Sequence, residues 1–366
     1  MNFSILQSDL WPIIQSVSRS CGIRSTLPVL GNILIEAKED KLKLSATNLE
    51  IGVVKTINAE IGEEGDITVP VRTISEITSN LAGSKINFES QNDQLKISTD
   101  QFMATINGIP ASEFPSIPLS GKEEVIIDPE ILKKAIPEIA FAAAVDEGRP
   151  ILTGILTQIQ DKKLQLVSTD GYRLAHKLIP VDQTYQFKAL IPRRTFEEVI
   201  RLLTEQEADN LTISTSEDGN QMIFRFGNTQ LSSRLIEGRF PVWEKIIPSD
   251  IKVRIIFERI ELLKGVKLAS VFARSEANVV KLQNQDNKLI LTSETKELGS
   301  QQNQIEVQSN EESLTVAFNS KFLIDILSAF SASQATLELS SPLSAAVIKP
   351  MGEEGLEYII MPVNLG

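Results

Sequence analysis

One cysteine, Cys21, and one histidine, His176, stand in the 366 residues of this chain. A lone cysteine excludes an intrachain disulfide framework and any cysteine-rich zinc or iron-sulfur site. A lone histidine removes every two-histidine metal site and leaves histidine-based catalysis with one candidate. No stretch approaches the ~18 apolar residues of a membrane span, and the opening Met-Asn-Phe-Ser-Ile-Leu has no basic region leading into an apolar core. A soluble, cytoplasmic protein is expected. Basic charge is the scarcer sign, 36 Lys and Arg against 48 Asp and Glu, for a net −12. That balance excludes a wholesale basic binder of nucleic acid. The catalytic signatures G-x-x-x-x-G-K-[ST], H-E-x-x-H and G-x-S-x-G are absent. Plentiful carboxylates could in principle hold Mg²⁺ for a nuclease or hydrolase. The acidic pairs Glu123-Glu124, Glu197-Glu198 and Glu353-Glu354, however, read as a solvated turn, helix face and loop. The expectation is therefore no metal, no cofactor and no catalytic residue, with a cytosolic assembly protein of stacked repeats as a further class.

What the chain does contain is itself, repeated. At roughly 150 residues per domain its length allows two or three compact units, and 42% hydrophobic with 23% charged residues is ordinary globular composition. Laying LPVLGNILIEAKEDKLKLSATNLE, from Leu27, over RPILTGILTQIQDKKLQLVSTDGY, from Arg149, puts Pro28 on Pro150, Leu44 on Leu166 and Thr47 on Thr169. The offset is 122 residues throughout. The same offset sets Pro70 on Pro192, Arg72 on Arg194 and Thr73 on Thr195. Phe114-Pro115 then answers Phe240-Pro241 at an offset of 126, so the second unit has gained a few loop residues. A third, fainter copy sets Glu130, Lys133 and Phe141 over Glu261, Lys264 and Phe272, followed by DNKLILTSE and AFNSKFLIDIL. Such a long period marks repeated units. Three follow, with boundaries near Gly121 and Ser249: residues 1–121, 122–248 and 249–366.

Within each unit the periodicity alternates between two kinds. Leu10, Ile13, Ile14 and Val17 recur at helical spacing, as do Ile74, Ile77 and Leu81, and Phe196, Val199, Ile200 and Leu203. Runs such as KLKLSAT, KLQLVST, KINFES, QLKIST, LTISTS and TLELSS alternate as half-buried strands between Gly, Asn, Asp and Ser turns. Connections too short for helical crossovers make the sheets mainly antiparallel. The class is α+β, in three copies, with two helices each. Taken with their flanks, the six helical segments carry no net charge, so strands and loops hold the whole −12. Basic residues offset the acid only there: Arg19, Arg24, Arg72, Lys133, Lys134, Arg149, Arg193, Arg194, Arg201, Lys264, Lys267, Arg274 and Lys321. Ordinary solvated helix faces would account for that. So would a basic lining inside an acidic shell, which tolerates a phosphate backbone without gripping it and suits sliding over sequence reading.

LPVLGNILIEA (27–37), STDGYRLA (168–175), EGRFP with WEKIIP (237–248) and YIIMPVNL (358–365) together resemble one family over the whole chain. It is the bacterial DNA polymerase III β subunit, the sliding clamp. The resemblance implies a head-to-tail homodimer closing a ring around double-stranded DNA, helices inside and sheets outside. It also implies a non-catalytic processivity role, with the replicative polymerase, an ATP-driven clamp loader and other motif-bearing proteins as partners. DNA contacts would fall to Arg24, Arg72, Arg149, Arg193, Arg194 and Lys264. A pocket for short segments resembling Gln-Leu-x-Leu-Phe would comprise Leu152, Thr169, Gly171, Tyr172, Arg173, Leu174, Pro241, Lys245, Ile246, Leu343, Ala345, Ile360, Met361, Pro362 and Val363. Tyr172 and Lys245 stand where the family more often has His and Arg. The dimer contact would set Ile106 and Thr73 against Val271, Phe272 and the segment ending at Glu297. Read alone, STDGYR is a hairpin turn, IIMPV a final core strand, His176 a packed strand residue and Cys21 a small buried one.

Overall fold

The alternating segments form antiparallel ladders, and the segments of helical period form six α-helices among the described residues. These are α1 (Gln7–Ser18), α2 (Val71–Asn80), α3 (Pro129–Ile139), α4 (Arg193–Glu205), α5 (Arg259–Ala273) and α6 (Ser320–Ala329). The computed structural model describes the chain except residues 23–25, 147, 183–185, 275–276, 297, 311–312 and 365–366, and the side chain of Glu123. Arg24 and Glu297 therefore lie outside the described residues. No described helix is long and apolar enough to cross a membrane.

Grouped by proximity, the chain makes two compact units, one of residues 1–131 and 194–235 and one of 132–193 and 236–366. The middle repeat is shared between them because strand pairing runs across the repeats. In the first unit Thr229–Arg234 pairs with Ile51–Asn58, Leu231 opposite Val53 and Ser232 opposite Gly52. That seam joins strands of two repeats into one eight-stranded sheet, beside a separate five-stranded sheet that begins with Asn2–Leu6. In the second unit Leu356–Ile360 pairs with Arg173–Pro180, Leu174 opposite Ile359, within a twelve-stranded sheet. Gly52 and Leu174 are the same position of the 122-residue repeat, so the two seams share one register.

The helices pack through the residues whose spacing announced them. α1 buries Leu10, Ile13, Ile14 and Val17, and α4 buries Phe196, Val199, Leu202 and Leu203. In the first unit α1 and α4 are also tied by charge. Lys55, only 4% exposed, lies 3.1 Å from Glu205, which also accepts from Ser16, and Arg201 donates to the Ser16 carbonyl at 3.1 Å. Burial opposes the Glu205 charge, yet the bonds from Ser16 and Lys55 and the Arg201 charge outweigh it and hold its carboxyl below the usual value. Two of the acidic pairs differ from expectation. Glu123 and Glu124 sit in the strand Gly121–Ile127, not on a turn, and Glu124 pairs with Arg225 across the sheet. Glu198 is not solvated but half-buried against Arg201. The Glu198 partner stands one helical turn away on α4, whereas the Glu124 partner lies two strands away, beyond Leu211–Ser216, where sequence spacing could not show it.

Candidate functional site

On the twelve-stranded sheet, alternation decides which side chains share a face, and register decides which stand side by side. One row across the strands reads Leu190, Leu156, Val167, His176, Glu357. The next reads Thr169, Leu174, Ile359, Val347. All the aliphatic members of both rows are buried, and with Trp243 and Ala345 they form one apolar cluster. Ile151, Ile236, Phe240 and Ile247 pack against it half-buried, which leaves an apolar margin that is not closed over. Trp243 is placed by the short turn Glu244–Ile246, which follows it directly, and its ring lies on His176 at 4.5 Å between centroids.

The turn between Lys163–Thr169 and Arg173–Pro180 builds one side of this site. Asp170 Oδ1 accepts from the backbone N–H groups of Tyr172 and Arg173, and Thr169 Oγ1 accepts from that of Gly171. Gly171 has φ +92°, and a Cβ there would approach the Arg149 guanidinium to 3.2 Å, so a side chain is disfavoured both by strain and by space. Arg173 points to the other face of the sheet. It pairs with Asp170 and with Asp325 of α6, donates to the Phe141 carbonyl at 3.1 Å, and lies between the rings of Phe141 and Phe322. The Met361 N–H donates to the Tyr172 carbonyl at 2.8 Å, which fixes the C-terminal segment beside the turn.

The structure brings Leu174 and Ala345 of the expected pocket into the cluster and sets Leu152, Thr169 and Gly171 at its edge. Tyr172, Pro241, Lys245, Ile246, Leu343 and Met361 are exposed, and Pro362 and Val363 are half-buried. Leu343, at 63% exposure, is the most exposed apolar side chain of that set. Ile360 is not part of the cluster. It is fully buried on the opposite face with Tyr358, because adjacent strand residues point opposite ways. Its neighbour Ile359 is the one that faces the cluster. Trp243, Val347, Ile359 and Phe240 were missed, although strand alternation around Leu174 and the aromatic residues flanking Pro241 were signals for them.

The basic candidates are dispersed. Arg72 on α2 and Arg149 are exposed, as is Arg194 at the start of α4, while Arg193 is half-buried. Lys264 on α5 is exposed and 3.1 Å from Glu261. Arg201 is consumed by Glu198, Glu205 and Ser16, so it stabilises helix packing. Of the expected dimer residues, Thr73 is exposed, Val271 is 47% exposed and Phe272 is half-buried. Ile106 is 5% exposed, packed in its own five-stranded sheet opposite Leu95. Cys21 is buried, its thiol pushed up to about 12 by burial, and it is inert as a nucleophile. Among the described residues no group of three or more His, Cys, Asp and Glu could hold a metal ion.

Three family models match in order, those of the DNA polymerase III beta subunit N-terminal domain at 1–118, central domain at 126–242 and C-terminal domain at 244–364. A beta sliding clamp of Synechocystis is 29% identical over 98% of both chains, and one of Staphylococcus aureus is 27% identical over 100% of this chain and 99% of that one. Among solved structures, the Pseudomonas aeruginosa DNA polymerase III subunit beta superposes with a TM-score of 0.94 at 26% identity, covering both chains fully. A Pseudomonas aeruginosa sliding clamp bound to griselimycin and the Bacillus subtilis sliding clamp each match as well, with TM-scores of 0.94 at 26% identity over the full length of both chains.

Proposed function

The chain belongs to the DNA polymerase III beta subunit family, and from that premise we propose how its residues serve replication. It is a sliding clamp, a non-catalytic processivity factor. We infer three domains, 1–121, 122–248 and 249–366, and two chains closing head to tail around double-stranded DNA in the cytoplasm. A closed ring holds its polymerase by topology, so the tethered enzyme stays at high effective concentration near the template. Opening the ring falls to an ATP-driven loader, since this chain has no phosphate-binding loop of its own. Exposed Arg72, Arg149 and Arg194, with Lys264, supply weak, sequence-independent contacts to phosphates.

The observation that carries the partner reading is the apolar cluster of Leu174, Trp243, Ala345, Val347 and Ile359 with the half-buried Ile151, Ile236, Phe240 and Ile247 packed against it. A dry aliphatic socket suits the Leu and Phe of a segment such as Gln-Leu-x-Leu-Phe, and the polar groups around it suit the Gln. Burial of those two side chains contributes about 1.5 to 3 kcal/mol each, which after association costs corresponds to micromolar binding by an isolated peptide. Deleting Met361 to Gly366 removes the Met361 bond to Tyr172, which fixes the segment beside the turn that carries Gly171. Fluorescence anisotropy with a labelled peptide should then show binding abolished, while sizing shows the dimer intact. Unchanged affinity would place the socket elsewhere. A purified chain that cleaved DNA with Mg²⁺, or retained linear DNA as well as circular, would refute the clamp itself.

A further inference from the structure

The sheet face that carries the apolar cluster also carries the chain's one histidine, to which the family reading gives no part. His176 is 8% exposed and stands next to Leu174 on its face of the strand. Its Nδ1 lies 2.9 Å from Glu357 Oε1 and its Nε2 lies 3.1 Å from Gln165 Nε2. An amide N–H can only donate, so in the arrangement assigned Nε2 accepts and Nδ1–H donates to Glu357, a neutral imidazole with both nitrogens satisfied. The bond from His176 holds the Glu357 carboxyl below its usual value despite burial. Trp243 lies across the ring at 4.5 Å between centroids and 43° between planes. The charged groups around His176 are few. Lys349, Glu353, Glu354 and Glu357 line the cleft beside it, and Lys349 is already 2.9 Å from Glu338. The segment above adds exposed Glu244 and Lys245, and the strand carrying Gln165 adds exposed Lys163.

We propose that His176 is a positioning residue of the partner-peptide pocket: it seats Trp243 against the sheet, and its protonation tightens that seat and strengthens peptide binding. The inference rests on the pocket reading given above. Histidine is the side chain whose charge ordinarily changes between pH 5 and 8. A proton added at Nε2 leaves the Nδ1 bond to Glu357 in place, now charge-assisted. The Gln165 amide turns over so that its carbonyl oxygen accepts from Nε2–H. The imidazolium is then drawn to the indole face. Because Trp243 packs with Leu174, Ala345 and Ile359, a firmer seat leaves less ordering to be done when a peptide docks.

The test is the affinity of an acetylated, amidated, fluorescein-labelled Gln-Leu-Ser-Leu-Phe peptide for the full chain, followed by anisotropy between about pH 5.5 and 8. It is compared with His176→Phe, which keeps a ring under Trp243 but has no proton to gain. The native chain should bind about threefold more tightly at the acid end, and His176→Phe should show a flat profile. A flat native profile, or a native-like slope in His176→Phe, overturns the proposal. A second measurement needs neither peptide nor a change at position 176. In Trp11→Phe, the emission of Trp243 should titrate over the same range, and a constant emission overturns the coupling. No peptide binding at any pH, with Trp243 emission still titrating, counts against the pocket and leaves the His176 to Trp243 coupling standing.

Discussion

Glu138→Gln is the substitution whose cost the packing of the second unit specifies most sharply. Glu138 of α3 is 5% exposed and Lys177, on the strand that also carries Leu174, is 8% exposed. Lys177 Nζ lies 2.9 Å from Glu138 Oε2, but off the axis of a well-directed hydrogen bond, so charge rather than bond geometry holds the pair. The Tyr358 hydroxyl is buried nearby without a hydrogen-bond partner, and its pKa is raised by burial first and by Glu138 and Glu353 after it. Neutralising Glu138 leaves a buried ammonium with no counter-charge, which costs about 3–5 kcal/mol. Lys177→Met strands the carboxylate and should cost a comparable amount. Glu138→Leu combined with Lys177→Met removes both charges and should return to within about 1 kcal/mol of the native chain or exceed it. The half-buried pair Lys43–Glu36, 2.8 Å apart with each side chain 35% exposed and so still screened by water, provides the comparison, and Glu36→Gln should cost no more than about 1 kcal/mol. Urea unfolding followed by circular dichroism measures all four. The reasoning fails if Glu138→Gln costs as little as Glu36→Gln, or if the double variant is as unstable as the worse single one.

Val271→Asp with Phe272→Asp should convert the dimer to monomers, since both lie in the last turn of α5 with Val271 47% exposed; a stable dimer by light scattering at micromolar concentration would count against that contact. Arg72→Glu with Arg149→Glu should weaken DNA retention uniformly across sequences and flatten the salt dependence by about one unit per lost phosphate contact, and a sequence-selective loss would contradict it. Glu205 has a folded-state pKa below its unfolded value of 4.5, so its contribution to stability is present above that value and is lost as pH falls through the lower one. Glu205→Gln should therefore flatten the acid side of a stability profile measured by urea unfolding against pH, and an unchanged acid slope would disprove the linkage.

The chain alone was enough for the fold class, the three-fold repeat and the family, because each rests on local order. Leu10, Ile13, Ile14 and Val17 announce a helix by their spacing, and KLKLSAT announces a strand by its alternation, whatever lies beyond them. The 122-residue offset is a property of the string itself. Leu174 and Ala345 could also be named in advance, through motifs that travel with the family.

Tertiary structure alone decided which side chains meet. Gly52 and Leu174 occupy one position of the repeat, yet one faces Ser232 and the other Ile359, and the second pairing is the one that joins the apolar cluster with Trp243. Strand pairing between distant segments fixes that, and no window of sequence contains both partners. The same limit hid Trp243 within the apolar cluster, turned Ile360 away from it and buried Ile106. It also brought Ser16 of α1, 185 residues away, to the Arg201 guanidinium, which the helix spacing had paired only with Glu198 and Glu205. Composition records that a charge exists, whereas only the folded chain sets the few ångströms that decide whether it is spent on an internal partner or left for DNA.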